Sequence, residues 1–252
     1  MARPRSRGEE AAVKETTHDV GDDELVGVVD EHDDALAALP GDLDDPDLLR
    51  PAPLPWRRRT AIEMIVSGLI GLYTSFVLSI EAIHVAVANA TNTTASASCD
   101  LNAFISCSAV ADTWQAQLFG FPNAFLGIAA EAIVITVAIA MLGGVVFPRW
   151  FMLSAQAVYT AGLVFAWWLF QQSFFEIGAL CPWCLLITAT TTLVWAGLTR
   201  VNVRDGHLTL PGRWGPWARR FVASGNDWFV TVAVLVLFAA VVFAKYGWTL
   251  LV

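Results

Sequence analysis

The four cysteines of this 252-residue chain stand in two pairs. Cys99 and Cys107 lie in a polar stretch, and Cys181 and Cys184 form Cys-Pro-Trp-Cys at the start of an apolar run. Two cysteines separated by two residues at a helix start can close a small disulfide, and the helix N-terminus stabilises the thiolate, which is the reactive form. A second pair within reach allows the disulfide to be handed on by thiol exchange. The same residues also fit two structural bridges on an oxidising surface. A tetrahedral metal site suits them less well, because the Cys99/Cys107 spacing is loose and no His adjoins either pair, so no metal is expected.

The elements that must hold these pairs are membrane spans. From residue 61 onward, five apolar stretches are long enough to cross a bilayer as helices: 61–88, 123–147, 150–170, 180–199 and 228–248. Period-two alternation, the mark of a membrane barrel, is absent. Residues 1–60 hold 15 of the 23 acids and 8 of the 15 Lys and Arg, a net charge of −7, with almost no aromatic residues. Such a composition does not offset its ordering entropy, so 1–56 is expected to be a disordered acidic tail. No signal-peptide pattern opens it. The remainder carries a net −1; the overall charge of −8 therefore reflects the tail, and no nucleic-acid partner is expected.

Basic residues fix the expected orientation. Arg57, Arg58 and Arg59 precede the first span, Arg149 lies in the second connection, and Arg200, Arg204, Arg213, Arg219 and Arg220 fill the fourth. The first and third connections, 89–122 and 171–179, contain no Lys or Arg. The positive-inside rule then predicts a cytoplasmic N-terminus, an outer C-terminus and all four cysteines on the outer, oxidising side. The domain plan that follows is an inner tail over 1–56 and a catalytic membrane domain over 57–200, whose outer loop 89–122 carries Cys99 and Cys107. A basic cytoplasmic loop over 201–227 and a fifth span over 228–252 complete it.

Three segments together resemble the vitamin K epoxide reductase family. They are Cys99-Asp-Leu-Asn-Ala-Phe-Ile-Ser-Cys107-Ser-Ala-Val, then Phe119-Gly-Phe-Pro-Asn123-Ala-Phe-Leu-Gly127, then Cys181-Pro-Trp-Cys184. Ala82-Ile-His-Val85 at the end of the first span is similar to the family as well, and the resemblance covers about residues 60–200. It implies an all-α integral membrane protein in which a four-helix bundle holds a quinone near the outer surface, with a fifth transmembrane helix beside it. It implies oxidation of a thioredoxin-like partner and reduction of menaquinone or ubiquinone in a bacterial cytoplasmic (inner) membrane. Bacterial members often continue from a fifth span into a thioredoxin-like domain; here the chain stops soon after that span, so the expected partner is a separate periplasmic or cell-surface thiol oxidase. Carried over by position, Cys99 and Cys107 exchange with the partner, Cys181 resolves a transient Cys107–Cys181 disulfide, Cys184 faces the quinone, and Asn123 donates a hydrogen bond to a quinone carbonyl. The chain departs from the family at Asp112 and Thr113, where many members have serines, and at Thr188, where vertebrate members have a tyrosine that helps hold the quinone. These departures count against vitamin K epoxide itself as substrate.

Other residues carry competing readings. Asn123 follows Pro122 and is expected to cap the second helix through its side-chain oxygen, leaving the NH₂ group free. Trp183, between the reactive cysteines, and Phe125 are the expected ring contacts, whereas Phe119, Phe121, Trp167 and Trp168 read as an interfacial belt. Glu131, about 12 Å into the second span, is expected to face the interior as a hydrogen-bonded acid rather than as a proton donor to the quinone. Glu81 and His84 are placed to pair locally, with the structural role leading. Gly68 and Gly71 read as close-packing positions, and Gly143-Gly144 before Pro148 as a turn. Asn89-Ala-Thr91 and Asn92-Thr-Thr94 match the glycosylation pattern but read as a flexible polar loop.

Two non-enzymatic classes compete with the redox reading. A transporter subunit would spread polar residues over several spans with broken helices near the midplane, whereas the reactive residues here gather at one surface. A non-catalytic disulfide-bridged scaffold would hold bridges that resist mild reduction. Among enzymes, the unrelated bundle that passes electrons from a periplasmic thiol oxidase to quinone has a different order of cysteine pairs. The Cys-x-x-Cys pair coming last, on the fourth span, favours the vitamin K epoxide reductase type.

Overall fold

Helix α1, Leu54–Ala90, runs without interruption for 37 residues, about 55 Å at 1.5 Å per residue. That is well beyond the ~30 Å of a bilayer core, so the helix projects past it. The computed structural model describes residues 52–94, 96–212 and 214–250, without the side chains of 248–250. The tail reading for residues 1–51 lies outside the described residues. Its last part is corrected: Leu54, Pro55 and Trp56 are helical, because Pro55 sits in the first turn, where a missing N–H costs nothing.

After α1 come the short helix α2, Cys107–Ala111, and a 3₁₀ turn, Trp114–Gln117. Helices α3, Ala124–Leu142, and α4, Arg149–Gln171, follow, and α4 runs into a π-helical turn, Gln172–Ile177. Helices α5, Pro182–Arg204, α6, Trp214–Ala223, and α7, Asn226–Leu250, complete the described chain. Among the described residues there are seven α-helices and no strands, and five helices are long and apolar enough to cross a membrane.

Three expectations about the connections change. The third connection is not an open loop, since the helical path continues to Ile177 and stops where Gly178 takes φ 72°, a left-handed conformation that suits glycine. The stretch 201–227 is not simply a loop either: α5 extends through it to Arg204, α6 occupies its second half, and α7 begins at Asn226. The second span ends at Leu142 rather than Phe147, because Gly144 takes φ 92° in the turn expected there.

Helix α1 packs along both α3 and α5, and α4 packs along α5. The core between them is made by Ala61 and Met64 of α1, Val134, Val137, Ala138 and Met141 of α3, Met152 and Tyr159 of α4, and Val194, Leu198 and Val201 of α5. Close approach depends on small residues, as in membrane helix pairs generally. A Cβ on Gly71 would stand 2.7 Å from Glu131 Oε1 and 3.2 Å from Thr190 Oγ1, so the carboxyl of Glu131 fills the space the glycine leaves. Glu131 is 2% exposed and accepts a hydrogen bond from the Tyr159 hydroxyl at 3.1 Å. This is the interior, hydrogen-bonded acid expected from its position, and Tyr159 is a partner that no sequence pattern indicated.

Ionic contacts brace the end of the molecule away from the cysteines. The Arg57 guanidinium donates to Asp205, and Arg200 Nε lies 3.0 Å from Asp227 Oδ2. The Arg200 guanidinium also sits 5.2 Å from the Trp56 ring and 5.3 Å from the Trp228 ring, which joins α1, α5 and α7 through one cation. At its other end α7 is held by the Lys245 ammonium, which donates to the Phe174 carbonyl and lies 4.1 Å from the Phe174 ring centre.

Candidate active site

A single backbone bridge brings the two cysteine pairs together. Ile105 and Leu180 pair in parallel: the Ser106 N–H donates to the Leu180 carbonyl at 3.0 Å, and the Leu180 N–H donates to the Phe104 carbonyl at 2.8 Å. Cys107 follows two residues after Ile105 and Cys181 one residue after Leu180, so the pairing sets the thiols side by side. Cys107 Sγ lies 2.9 Å from Cys181 Sγ, and the two residues are 2% and 1% exposed. Cys99 and Cys107 are joined by a disulfide, whereas Cys181 and Cys184 are free thiols. The Sγ atoms of Cys99, Cys107 and Cys181 all lie within 4.8 Å of one another.

The loop that carries Cys99 and Cys107 is organised by Asp100. Its carboxylate accepts the Ala97 N–H at 2.7 Å, the Ser106 hydroxyl at 2.8 Å, and the Ser108 N–H and hydroxyl at 3.1 and 2.6 Å. Partial burial pushes its acidity towards the neutral form, but the bonds from Ser108, Ala97 and Ser106 outweigh that and hold the carboxyl down at about 2. Ser106 caps α2 by accepting the Ala109 N–H at 3.1 Å, and this fixes the first turn, where Cys107 sits. The loop is also tied to α1: Glu81 Oε1 accepts the Ser98 N–H at 3.0 Å and the Ser98 hydroxyl at 2.7 Å. The expected Glu81–His84 pair is thereby corrected, because the loop folds back over the helix end and supplies better donors to the buried carboxylate. Asp100, Ser106 and Ser108 are the residues that sequence reasoning missed, and Glu81 was assigned another partner. Polar positions scattered through a loop have no period to reveal them.

Cys181 is the N-cap of α5, with Pro182 in the first turn, and its sulfur accepts the Cys184 N–H at 3.4 Å. The Cys184 side chain and then the Cys184 and Trp183 N–H groups, all donating to this sulfur, hold the Cys181 thiol below the ordinary cysteine range despite its burial and the nearby Asp100 charge. Cys184, one turn into α5, is half-buried, and its carbonyl accepts the buried Thr188 hydroxyl at 2.8 Å. The Thr188 hydroxyl is thus spent on the helix backbone.

Asn123 stands at the N-cap position of α3, but its side chain makes no capping bond. That expectation is corrected. Its backbone is already helical at φ −58°, so the side chain points away from the first-turn N–H groups, and Nδ2 donates to the Gln115 carbonyl of the 3₁₀ turn at 2.6 Å. Its Oδ1 is buried with no hydrogen-bond partner among the described residues. Trp183 packs against the cysteine cluster and meets the Tyr73 ring edge-on at 5.9 Å. Phe125 is 39% exposed and stacks on Phe121 at 6.4 Å, in a row that continues through Phe119 to Phe165 and Trp168. Asp112 accepts from the Asn89 amide at 2.5 Å, so Asn89, the first residue of one glycosylation-like motif, closes the outer loop instead.

The four cysteines, two joined in a disulfide and two free, gather at one end of apolar helices, an arrangement chemically suited to disulfide exchange. A profile of the vitamin K epoxide reductase family matches residues 62–198, which take in the whole cysteine cluster, and the chain belongs to that family. No curated protein and no solved structure gives a match. Membership, the five apolar helices and the clustered cysteines together support a multi-pass membrane thiol oxidoreductase.

Proposed function

We propose that the chain oxidises a thioredoxin-like protein outside the bacterial cytoplasmic membrane and delivers the electrons to a membrane quinone, so that exported proteins acquire disulfides. The observation that carries this reading is the 2.9 Å approach of Cys107 to Cys181, which links a bonded cysteine pair to a free one. Helices α1, α3, α4 and α5 form the catalytic bundle with the cysteines on the outer side, as the distribution of arginines favours.

The steps balance as thiol exchange. A partner thiolate attacks Cys99, the Cys99–Cys107 bond breaks, and the partner's second thiol displaces Cys99 to leave with its own disulfide. Cys107, now a thiolate, attacks the oxidised form of the Cys181–Cys184 pair at Cys181, and Cys184 leaves as thiolate. Cys99 then displaces Cys181 from Cys107 and restores the loop disulfide. The Cys181/Cys184 dithiol holds two electrons and two protons, which the quinone takes up as the pair closes again. The lowered pKa of Cys181 suits it to act as the leaving sulfur in the exchange.

The residues at the start of α3 fit a quinone. One Asn123 N–H is spent on Gln115, while the second N–H and the buried, unpartnered Oδ1 remain for a carbonyl or hydroxyl of the ring. The Gln115 bond fixes the amide in place, which is the preorganisation that such a contact needs. Trp183 supplies an apolar face beside Cys184, and Phe125, two residues beyond Asn123, adds its ring to the aromatic row with Phe121.

Expression in a bacterial strain lacking its own disulfide-forming membrane oxidase tests the reading. Restored disulfide formation in a secreted reporter is expected. No restoration, with the chain inserted and both pairs resistant to mild reductant, would instead identify a bridged scaffold.

A further inference from the structure

Helix α6 is confined to one membrane surface by its connections. It stands between two span-length helices, with α5 ending at Arg204 and α7 beginning at Asn226, and only Ser224 and Gly225 separate α6 from α7. Helix α5 carries the cysteines at its other end, so α6 lies at the membrane face away from the active site.

The side chains of α6 divide by what they meet. Ala218 and Val222 are buried and pack with Val203 of α5, Trp56 of α1 and Leu208. Trp214, Trp217 and Phe221, at i, i+3 and i+7, share the adjoining face. Trp214 and Trp217 are each 55% exposed, and the Trp217 and Phe221 rings stack at 5.1 Å. Arg219 and Arg220 fall on the remaining face. A protein-facing edge, an open aromatic edge and a basic edge, in a helix whose ends both attach at the bilayer boundary, match a helix lying in the interface.

We infer that α6 is an anionic-lipid contact: Trp214, Trp217 and Phe221 insert at the level of the headgroups while Arg219 and Arg220 meet lipid phosphates. The aromatic edge supplies insertion into any bilayer, and the arginines supply preference for negative charge, each worth about fivefold near a charged surface. Together they give a preference of about 25-fold for an anionic bilayer, weakened by salt.

The full chain in lipid nanodiscs provides the test, read as amide hydrogen exchange over residues 214–223. Pure phosphatidylcholine is compared with an equal mixture of phosphatidylcholine and phosphatidylglycerol. Slower exchange is expected in the anionic discs, by an order of magnitude or more at low salt, and 0.5 M salt should reverse most of the difference. Arg219→Gln with Arg220→Gln should abolish the lipid dependence and leave exchange at the phosphatidylcholine level. Trp217→Ser should speed exchange in both discs, with Trp217→Phe restoring protection if the variant is otherwise folded. Exchange rates equal in the two lipids, or a lipid dependence that survives loss of both arginines, would overturn the inference. Protection that appears only on adding cytosolic protein would overturn it as well and assign the face to a protein partner.

Discussion

The two ends of the helical core are held by different means. At the end away from the cysteines, Arg57 with Asp205 and Arg200 with Asp227, together with the rings of Trp56 and Trp228, clamp the three helices α1, α5 and α7 through buried charge. At the cysteine end the sulfurs are placed by backbone pairing at Ile105 and Leu180 and by short bonds into Asp100 and Glu81. No Lys or Arg lies in 89–122 or 171–179, so these connections have no cation of their own to pair with these carboxylates. An ion pair out of water holds one geometry strongly and fails abruptly when a partner is lost. A set of neutral-donor bonds tolerates rearrangement, which thiol exchange among Cys99, Cys107 and Cys181 requires. The difference teaches that the fold separates what must stay fixed from what must move.

The largest effect should come from the cysteine end. Cys184→Ala removes the sulfur that closes the second disulfide, and turnover should fall about a thousandfold or more, to background, with helicity unchanged. The variant should also accumulate a Cys107–Cys181 disulfide, because the free Cys181 sulfur, 2.9 Å from Cys107 Sγ, attacks the loop disulfide at Cys107 with Cys99 leaving as thiolate, and the Cys184 thiol that would then attack Cys181 is missing. Peptide mapping under non-reducing conditions reads this directly. Finding only Cys99–Cys107 would break the relay.

The ion-paired end should respond in the opposite manner. Arg200→Gln leaves Asp227 without its cation, a change that costs about 3–5 kcal/mol where the pair is buried; the side chains here are 9% and 15% exposed. Thermal unfolding in detergent should shift down strongly while turnover of the folded fraction changes less than about twofold. A variant that keeps its stability but loses turnover would show that the ion-paired end takes part in the chemistry.

Much of this arrangement was legible in the residues, and what was not follows from the physics of loops. Apolar length and arginine placement gave the five spans, because hydrocarbon demands both. The cysteine pairing in Cys-Pro-Trp-Cys was legible because spacing and helix start constrain each other. Glu131 and Gly71 were each readable as interior positions, yet that one fills the space beside the other depends on the rotation of α1 against α3, which no single helix records. The Asn123 cap failed because Pro122 permits a helical backbone at Asn123 itself, so the amide turned to Gln115 instead. Asp100 and Ser108 were invisible, since a loop's hydrogen bonds follow its tertiary path rather than a period.

An intermediate effect is expected at Asn123, which sharpens how much of the cysteine end is chemistry and how much is scaffold. Asn123→Asp removes both amide N–H groups, so the Gln115 tether is lost and a negative charge faces the developing negative charge on the acceptor. A charge-assisted bond is worth about 1.5–3 kcal/mol, hence roughly a 10- to 150-fold fall in kcat/KM, with kcat falling as well. Steady-state quinone reduction by the purified variant, at stability matched to the parent, measures it. A wild-type rate would reduce Asn123 to a loop tether.

The smallest effect is expected at Asp100 and is best seen through pH. Its carboxyl is held down at about 2 by donors from Ser108, Ala97 and Ser106, against an ordinary value of 3.8. A carboxyl whose pKa is lowered on folding stabilises the fold above the unfolded value, and that contribution is lost as pH falls through the folded one. Order in the loop over residues 97–108 should therefore hold at pH 4 and above and decline between about 3.8 and about 2. Because the group is partly exposed, the change is local and not an unfolding of the helices. Amide exchange over 97–108, corrected for the intrinsic pH dependence, should show this decline in the parent. Asp100→Asn should show faster exchange at every pH and no such step, since a neutral amide gains no charge to lose. If the Asn variant protects the loop as well as the parent does, the carboxylate is not what holds Cys107 beside Cys181, and the Ile105–Leu180 bridge alone must do so.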